Sequence, residues 1–295
     1  MALPWYTHAT PQRLLRLDLS IMNESPLRIG AGKAPPLRAV DLPVVTIKLP
    51  RGEVPYIPGS SLKGIIRSTC EFIARSSGIE GVCSAGDCGN KYLDEAKEIT
   101  YYKALDNALR RNDIEEVKRI LGLYCIICKT FGSNSFGSHV DFQDAYPSGD
   151  VTLGLRSGIA INRRSGAVKS GPYEIEYVEP GHEFLGYITI RNLPNYLVGL
   201  LLLALDYLNA GIVKLGGFKS RGFGKVTSRV IRMDGYVIDE TSGMFIPLSD
   251  VKQLKALDES DGDVEINLSD IHKTLDNFKR RWLVYVQTSK GGKHS

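Results

Sequence analysis

The chain has 295 residues, 43% of them hydrophobic and 24% charged, enough apolar material for a sizeable core and unlike a disordered or fibrous chain. A net charge of +4 is mildly basic, which suits a nucleic-acid partner without demanding one. No apolar run follows a basic start at the amino end, and the most apolar stretch, 197–208, is too short for a bilayer and holds Asp206, so a cytoplasmic protein with no membrane partner is expected.

Residues 13–22 alternate polar and apolar, with Leu15, Leu17, Leu19 and Ile21 on one side, as a half-buried strand does. A loop rich in Gly and Pro follows to residue 42, carrying Arg28, Lys33, Arg38 and the acid Asp41. Val44 to Leu49 reads as a short strand. The stretch Tyr56-Ile-Pro-Gly-Ser-Ser-Leu-Lys-Gly-Ile-Ile-Arg67 then reads as a turn at Pro58-Gly59 feeding a helix over 60–76, with Ser60 or Ser61 as the N-cap. Lys63 and Arg67 sit four apart near that helix start. Two cations at the positive end of a helix cost stability unless an anion lies between them, so hydroxyls, free N–H groups and bases together predict a phosphate seat. The residues alone weigh equally for a capped surface helix with solvated bases.

Residues 78–138 read as a helical, cysteine-rich insertion, with helix over roughly 92–122 and a second N-cap near Asn112-Asp113. Cys83-x4-Cys88 and Cys125-x2-Cys128 have the pattern of a tetrahedral thiolate site, and five cysteines without a secretion signal favour metal over disulfides. A structural zinc on Cys83, Cys88, Cys125 and Cys128 is expected, with His139 as a possible replacement ligand. Cys70, on an apolar helix side, is expected in the core.

From residue 139 the chain turns β-like. Residues 162–172 read as a basic loop with Arg163, Arg164 and Lys169, followed by strands over 173–178 and 183–191. Leu193 to Ala210 is a second, largely apolar helix. A glycine-rich basic loop follows, with Lys214, Lys219, Ser220 and Arg221; its Phe218 and Phe223 are placed to stack a base or to pack beneath the loop. A strand covers 222–232. The remainder mixes a strand, an acidic loop at 258–263, a helix near 268–280 and the apolar 282–286. Without insertions the order is β-α-β-β-α-β. This predicts an α+β, ferredoxin-like palm: an antiparallel sheet with both helices on one side and the other open, a surface that commonly takes single-stranded RNA.

The Tyr56 to Arg67 stretch, Cys125-x2-Cys128-x2-Phe-Gly and the Gly216 to Gly224 loop, in that order, make the chain resemble the RAMP superfamily, and within it the backbone subunits of type III CRISPR effector complexes. The resemblance spans about residues 13–232. It implies a modified RNA-recognition-motif palm over 1–77 and 139–235, a finger insertion over 78–138, a thumb at 162–172 and an unassigned extension over 236–295. It implies copies stacked as a filament along a CRISPR guide RNA, beside other subunits of the complex. Ser60, Ser61, Lys63 and Arg67 correspond to guide-backbone contacts, with Lys214, Lys219 and Arg221 lining the same groove; Lys33, Arg38, Arg163, Arg164, Lys169 and Ser220 complete the expected RNA-binding set. Asp41, in Asp41-Leu-Pro-Val44, corresponds to the aspartate that cuts target RNA with a divalent cation, magnesium or manganese. The residues before it are Arg38-Ala-Val, where the family often has glycine. The alternative expectation is a guide-binding assembly subunit without chemistry. A stand-alone guide-processing nuclease is disfavoured by the scarcity of histidines.

Overall fold

The computed structural model describes residues 4–8, 10–31, 40–50, 52–84, 87–239 and 241–291. Lys33 and Arg38 lie outside the described residues, as does the Lys169 side chain. In chain order the elements are β1 (Arg13–Asn23), β2 (Thr46–Leu49), β3 (Gly52–Pro55), α1 (Gly59–Ser76), β4 (Tyr92–Asp94), β5 (Ile99–Thr100), α2 (Tyr101–Arg110), α3 (Ile114–Gly122), α4 (Ile126–Phe131), β6 (Val140–Phe142) and β7 (Tyr146–Pro147). Then come β8 (Leu153–Ile161), β9 (Val168–Val178), β10 (Glu183–Arg191), α5 (Asn195–Asn209), β11 (Val226–Ile238), β12 (Phe245–Pro247), β13 (Gln253–Leu254), β14 (Val264–Glu265) and α6 (Ile271–Gly291).

The central sheet runs β12-β11-β1-β10-β6, with β7 also on β10. β1 is antiparallel to both neighbours, setting Leu17 beside Ile188 and Met233. Taking β1, α1, β6, β10, α5 and β11 alone, the spatial order of the four strands is 4-1-3-2, which is compatible with a ferredoxin-like palm. The period-two pattern of β1 works as expected: Leu15, Leu17, Leu19 and Ile21 are buried against α1 and α5. The opposite side of the sheet is self-neutralised. Arg16 bonds Asp18 at 2.6 Å and lies over the Tyr187 ring, Arg191 meets Asp141 at 2.5 Å, and Arg232 meets Asp234 at 2.9 Å.

α5 is apolar almost all round because it is covered almost all round, by the sheet, by α1 and by α6. α6 lays Leu275, Phe278 and Trp282 into the same core. It is one helix, so the apolar 282–286 stretch continues the helix expected near 268–280. Strand β11 runs to Ile238, past the palm boundary expected at 235. Among the described residues no helix is long and apolar enough to cross a membrane.

Three local expectations are corrected. Residues 92–100 form a small β4–β5 hairpin instead of helix, so the helical part of 92–122 is α2 and α3, the latter capped by the Asp113 side chain, which accepts from Glu116 N at 3.1 Å. The basic loop at 162–172 is the end of a long β8–β9 hairpin: residues from 168 on are strand, leaving 162–167 as its tip. Finally, neither Ser60 nor Ser61 caps α1. The N-cap is Pro58, and Gly59 is already helical.

Candidate functional site

Gly59 explains how α1 starts. A Cβ there would lie 2.1 Å from the Phe142 carbonyl oxygen, so only glycine lets the helix begin so close to β6. Ile57 and Ala145 exchange backbone hydrogen bonds at 2.9 Å, pinning the entry. The first free amide of the helix, Gly59 N, then donates to Asp144 Oδ1 at 2.7 Å. A carboxylate from the chain thus takes part of the seat that the sequence assigned to a phosphate.

Four further bases and hydroxyls of α1, Ser61, Lys63, Arg67 and Ser68, divide between two open clefts. On one side Ser61, Gly64 and Ser68 face Arg28, Gly216 and Lys219 across a cleft of about 390 Å³. On the other, Lys63 and Arg67 floor a cleft of about 540 Å³ whose walls are residues 131–138, Asp87 and Asn90. Lys63 is half-buried, and burial pushes its ammonium pKa down, with Asp141 opposing that shift. Arg67 is committed to protein: Nε donates to Glu71 at 3.2 Å, Nη1 to the Gly132 carbonyl at 3.0 Å and Nη2 to Cys128 Sγ at 3.5 Å. Ser60 is exposed at the helix start, outside both clefts.

The glycine-rich loop uses left-handed backbone at four places, and its cations are partly held. Phe218 sits at φ 55°, Gly216 at 80°, Gly222 at 86° and Gly224 at 83°. Lys214 Nζ donates to the Lys219 carbonyl at 3.1 Å, and Arg221 Nη1 to Tyr173 Oη at 3.2 Å. Lys219 reaches the smaller cleft, while Ser220 and Arg221 are exposed beside it. Of the two aromatics, Phe223 packs beneath the loop, buried against Tyr177 with the Arg156 guanidinium 4.9 Å from its ring centre. Arg28 belongs to this cleft and was named only as part of a basic loop. Its guanidinium donates to the Leu42 carbonyl at 3.3 Å and stands 5.3 Å from the Phe218 ring centre. The sequence signal was its place opposite a second glycine-rich loop, visible only once the two loops are known to meet.

Asp41 is exposed at the foot of the β8–β9 hairpin. Leu42 pairs with β9, donating to the Glu174 carbonyl at 3.0 Å and accepting from Glu176 N at 3.1 Å, and Asp41 Oδ2 accepts from Glu174 N at 2.8 Å. Arg163 and Arg164 are exposed at the hairpin tip, away from both clefts.

The four cysteines of the insertion converge. Their sulfurs all lie within 4.8 Å of one another, with Cys83 3.2 Å from Cys128 and 3.7 Å from Cys125. Tetrahedral zinc with Zn–S bonds of 2.3 Å separates its sulfurs by about 3.8 Å, so the donor set fits such an ion. Four thiols at this spacing cannot all ionise without a cation. Hydrogen bonds from Cys128 and Cys88 push the Cys125 thiol down, while the same contacts push Cys128 up and Cys88 up to about 12. The cluster can therefore hold a metal ion such as zinc. It abuts a small core of its own, with Leu105, Ile120, Leu121 and Tyr124. His139 lies outside it: buried, stacked on His8 with ring centres 3.7 Å apart, its Nδ1 2.8 Å from the Arg191 carbonyl. Cys70 is fully buried in the main core, as expected.

No curated protein matches the chain. The family model of the RAMP superfamily matches residues 21–227, a span that takes in α1, both clefts, Asp41 and all four clustered cysteines. With that match over more than half its length, the chain belongs to the RAMP superfamily, a kinship that points to a CRISPR-associated RNA-binding subunit.

Proposed function

We propose that this protein is a guide-RNA-binding backbone subunit of a type III CRISPR complex, that copies of it stack along the guide, and that each cuts the bound target RNA. The observation that carries the binding half is the smaller cleft. There Ser61, Gly64 and Ser68 of α1, small residues with Ile65 among them, oppose glycine backbone flanked by Arg28 and Lys219. Small residues admit a sugar-phosphate chain closely and the cations neutralise it, while sequence is left to base pairing with the guide. Arg163 and Arg164 at the hairpin tip extend the basic surface outward, where they meet the same strand or its partner. Cys83, Cys88, Cys125 and Cys128 would hold zinc in a structural role, since four protein sulfurs would fill its tetrahedral shell.

The cutting half assigns Asp41. RNA carries its own nucleophile, the 2′-hydroxyl, and a nucleotide splayed so that this oxygen lies in line with the phosphate needs little further help. The 2′-oxygen would bond to phosphorus as the P–O5′ bond breaks, leaving a 2′,3′-cyclic phosphate and a 5′-hydroxyl protonated by water; Asp41 would take the 2′-hydroxyl proton, or would help hold a magnesium or manganese ion whose chemistry is to offset charge on the phosphate. The test is the assembled complex with Asp41→Ala. Guide binding is expected to persist and target cleavage to vanish; undiminished cleavage overturns the assignment. A second reading, a binding and assembly subunit without chemistry, is favoured by one observation: Asp41 already serves as acceptor for Glu174 N, a structural task. On that reading the wild-type complex leaves the target intact opposite this subunit.

A further inference from the structure

We propose that the 540 Å³ cleft between α1 and the insertion receives one unpaired nucleotide of a bound RNA, its phosphate at Lys63 and its base beside Phe136, and that metal in the cysteine cluster holds the cleft's walls through Arg67. This rests on the guide-binding reading above and adds a second, metal-dependent site to it.

The walls come from the two arms that carry the cysteines. Asp87 and Asn90 flank Cys88, and the wall from Phe131 to Ser138 begins three residues after Cys128. The arms meet across the cleft where Asn134 Nδ2 approaches Asn90 Oδ1 at 3.5 Å. Arg67 ties the second arm to α1, with one N–H on the Gly132 carbonyl and one on Cys128 sulfur, and the cysteine cluster joins the first arm to it, Cys83 Sγ lying 3.2 Å from Cys128 Sγ. Four thiolates around a divalent ion carry a net charge of about −2, and a guanidinium on one of those sulfurs offsets part of it while fixing the ligand's direction. A metal held by all four sulfurs would fix the Cys128 sulfur that Arg67 meets and join the two arms more firmly than the Asn134–Asn90 contact does alone.

Lys63 is what remains for a ligand. It is half-buried and makes no hydrogen bond or ion pair among the described residues, whereas Arg67 gives an N–H from each of its three nitrogens to protein. A half-buried ammonium with no anion at contact distance is satisfied by a phosphate. Phe136, fixed edge-on to Tyr124 with ring centres 5.0 Å apart, supplies an aromatic wall, and Asn90 and Asn134 supply amide groups for a base edge. Asp87 opposes a second phosphate and accepts from a base amino group, which limits the cleft to one nucleotide. Arg67 is on this account a positioning residue.

The experiment uses the zinc-loaded full chain and a short single-stranded RNA carrying 4-thiouridine, read by anisotropy across salt and by mapping photo-crosslinked peptides. Crosslinks are expected on the peptide holding Phe136. They should vanish when zinc is removed by chelation, with affinity falling about tenfold, and return with added zinc. Since metal removal also unfolds small sites, two variants separate the causes. Asn134→Glu should keep its zinc and lose the crosslink. Arg67→Lys, which keeps the charge but not the fork, should release zinc faster, with metal affinity down about tenfold, and weaken the crosslink in step. Salt-dependent RNA binding with crosslinks elsewhere, or crosslinks indifferent to zinc and to Asn134→Glu, overturns this inference and leaves the guide-binding reading intact. Absence of any salt-dependent RNA binding overturns both.

Discussion

Asp144 accepts a hydrogen bond from the backbone N–H of Gly59 at 2.7 Å, closing the amino end of α1 with a carboxylate 85 residues away in sequence. α5 is treated the same way: its N-cap, Pro194, offers no side-chain acceptor, and Asp261 of the carboxyl-terminal extension accepts from Asn195 N at 2.9 Å and Tyr196 N at 3.2 Å. Losing such a cap costs about 1 kcal/mol, up to about 2. Asp144→Ala and Asp261→Ala should each lower the denaturation midpoint accordingly, and Asn at either place should recover part of the loss. A midpoint unchanged within error in both Ala variants contradicts the capping role.

Zinc content follows from the sulfur geometry. Purified protein should carry about one zinc per chain, and Cys83→Ser or Cys128→Ser should reduce it and lower the thermal midpoint. Elemental analysis with a melting curve in chelator decides this; a metal-free protein of undiminished stability argues against the site.

Arg28 and Lys219 should be felt through salt. Each phosphate contact on a single strand contributes about 0.7 to the slope of log K against log salt. Lys219→Ala should reduce the slope by roughly that amount and weaken all RNA sequences alike. An unchanged slope places Lys219 off the RNA.

Stability should fall on mild acidification, and His139 is the cause. Burial, with His8 beside it, lowers its pKa from 6.5 to about 4. Between those values the unfolded chain binds a proton that the folded chain does not. The stability is therefore fully present above pH 6.5 and lost as pH falls toward 4, by up to roughly 3 kcal/mol. His8, also lowered by burial, acts in the same direction. Asp258, its carboxyl pushed up by burial and by Asp261, acts in the opposite one. Melting curves of His139→Gln should be flatter than wild type over this window; equal slopes dismiss the assignment.

The extension after β11 should prove indispensable to the fold. Trp282 is 1% exposed, and its replacement by Ala should cost about 3–5 kcal/mol. Removing α6 altogether would bare one side of α5 and is expected to give insoluble protein, checked by expression and sedimentation.

Much of this was legible from periodicity. β1, α1, β10 and α5 were found within about two residues, because alternating or helical apolar spacing is imposed by the core they share. The cysteine pairs were found because metal chemistry fixes their spacing. What escaped was whatever depends on a distant partner. The Ser60-Ser61 pair looks like an N-cap until Asp144 is seen to hold that end. Arg67 looks like a free base until Cys128 and Gly132 are found within its reach. Residues 168–172 looked like loop because their charge and glycine outweighed the pairing that β8 provides. α6 was cut short because its Trp282 to Val286 stretch resembles a strand by composition alone.

The backbone between Gly216 and Gly224 is held in its unusual shape by close approaches: a Cβ at Gly216 would fall 2.3 Å from the Arg28 carbonyl oxygen, and one at Gly224 2.0 Å from that of Leu215. A segment frozen this firmly during folding has little freedom left to surrender when it meets a strand. Association there should resemble a key entering a finished lock, quick to engage and accompanied by only a small change in heat capacity.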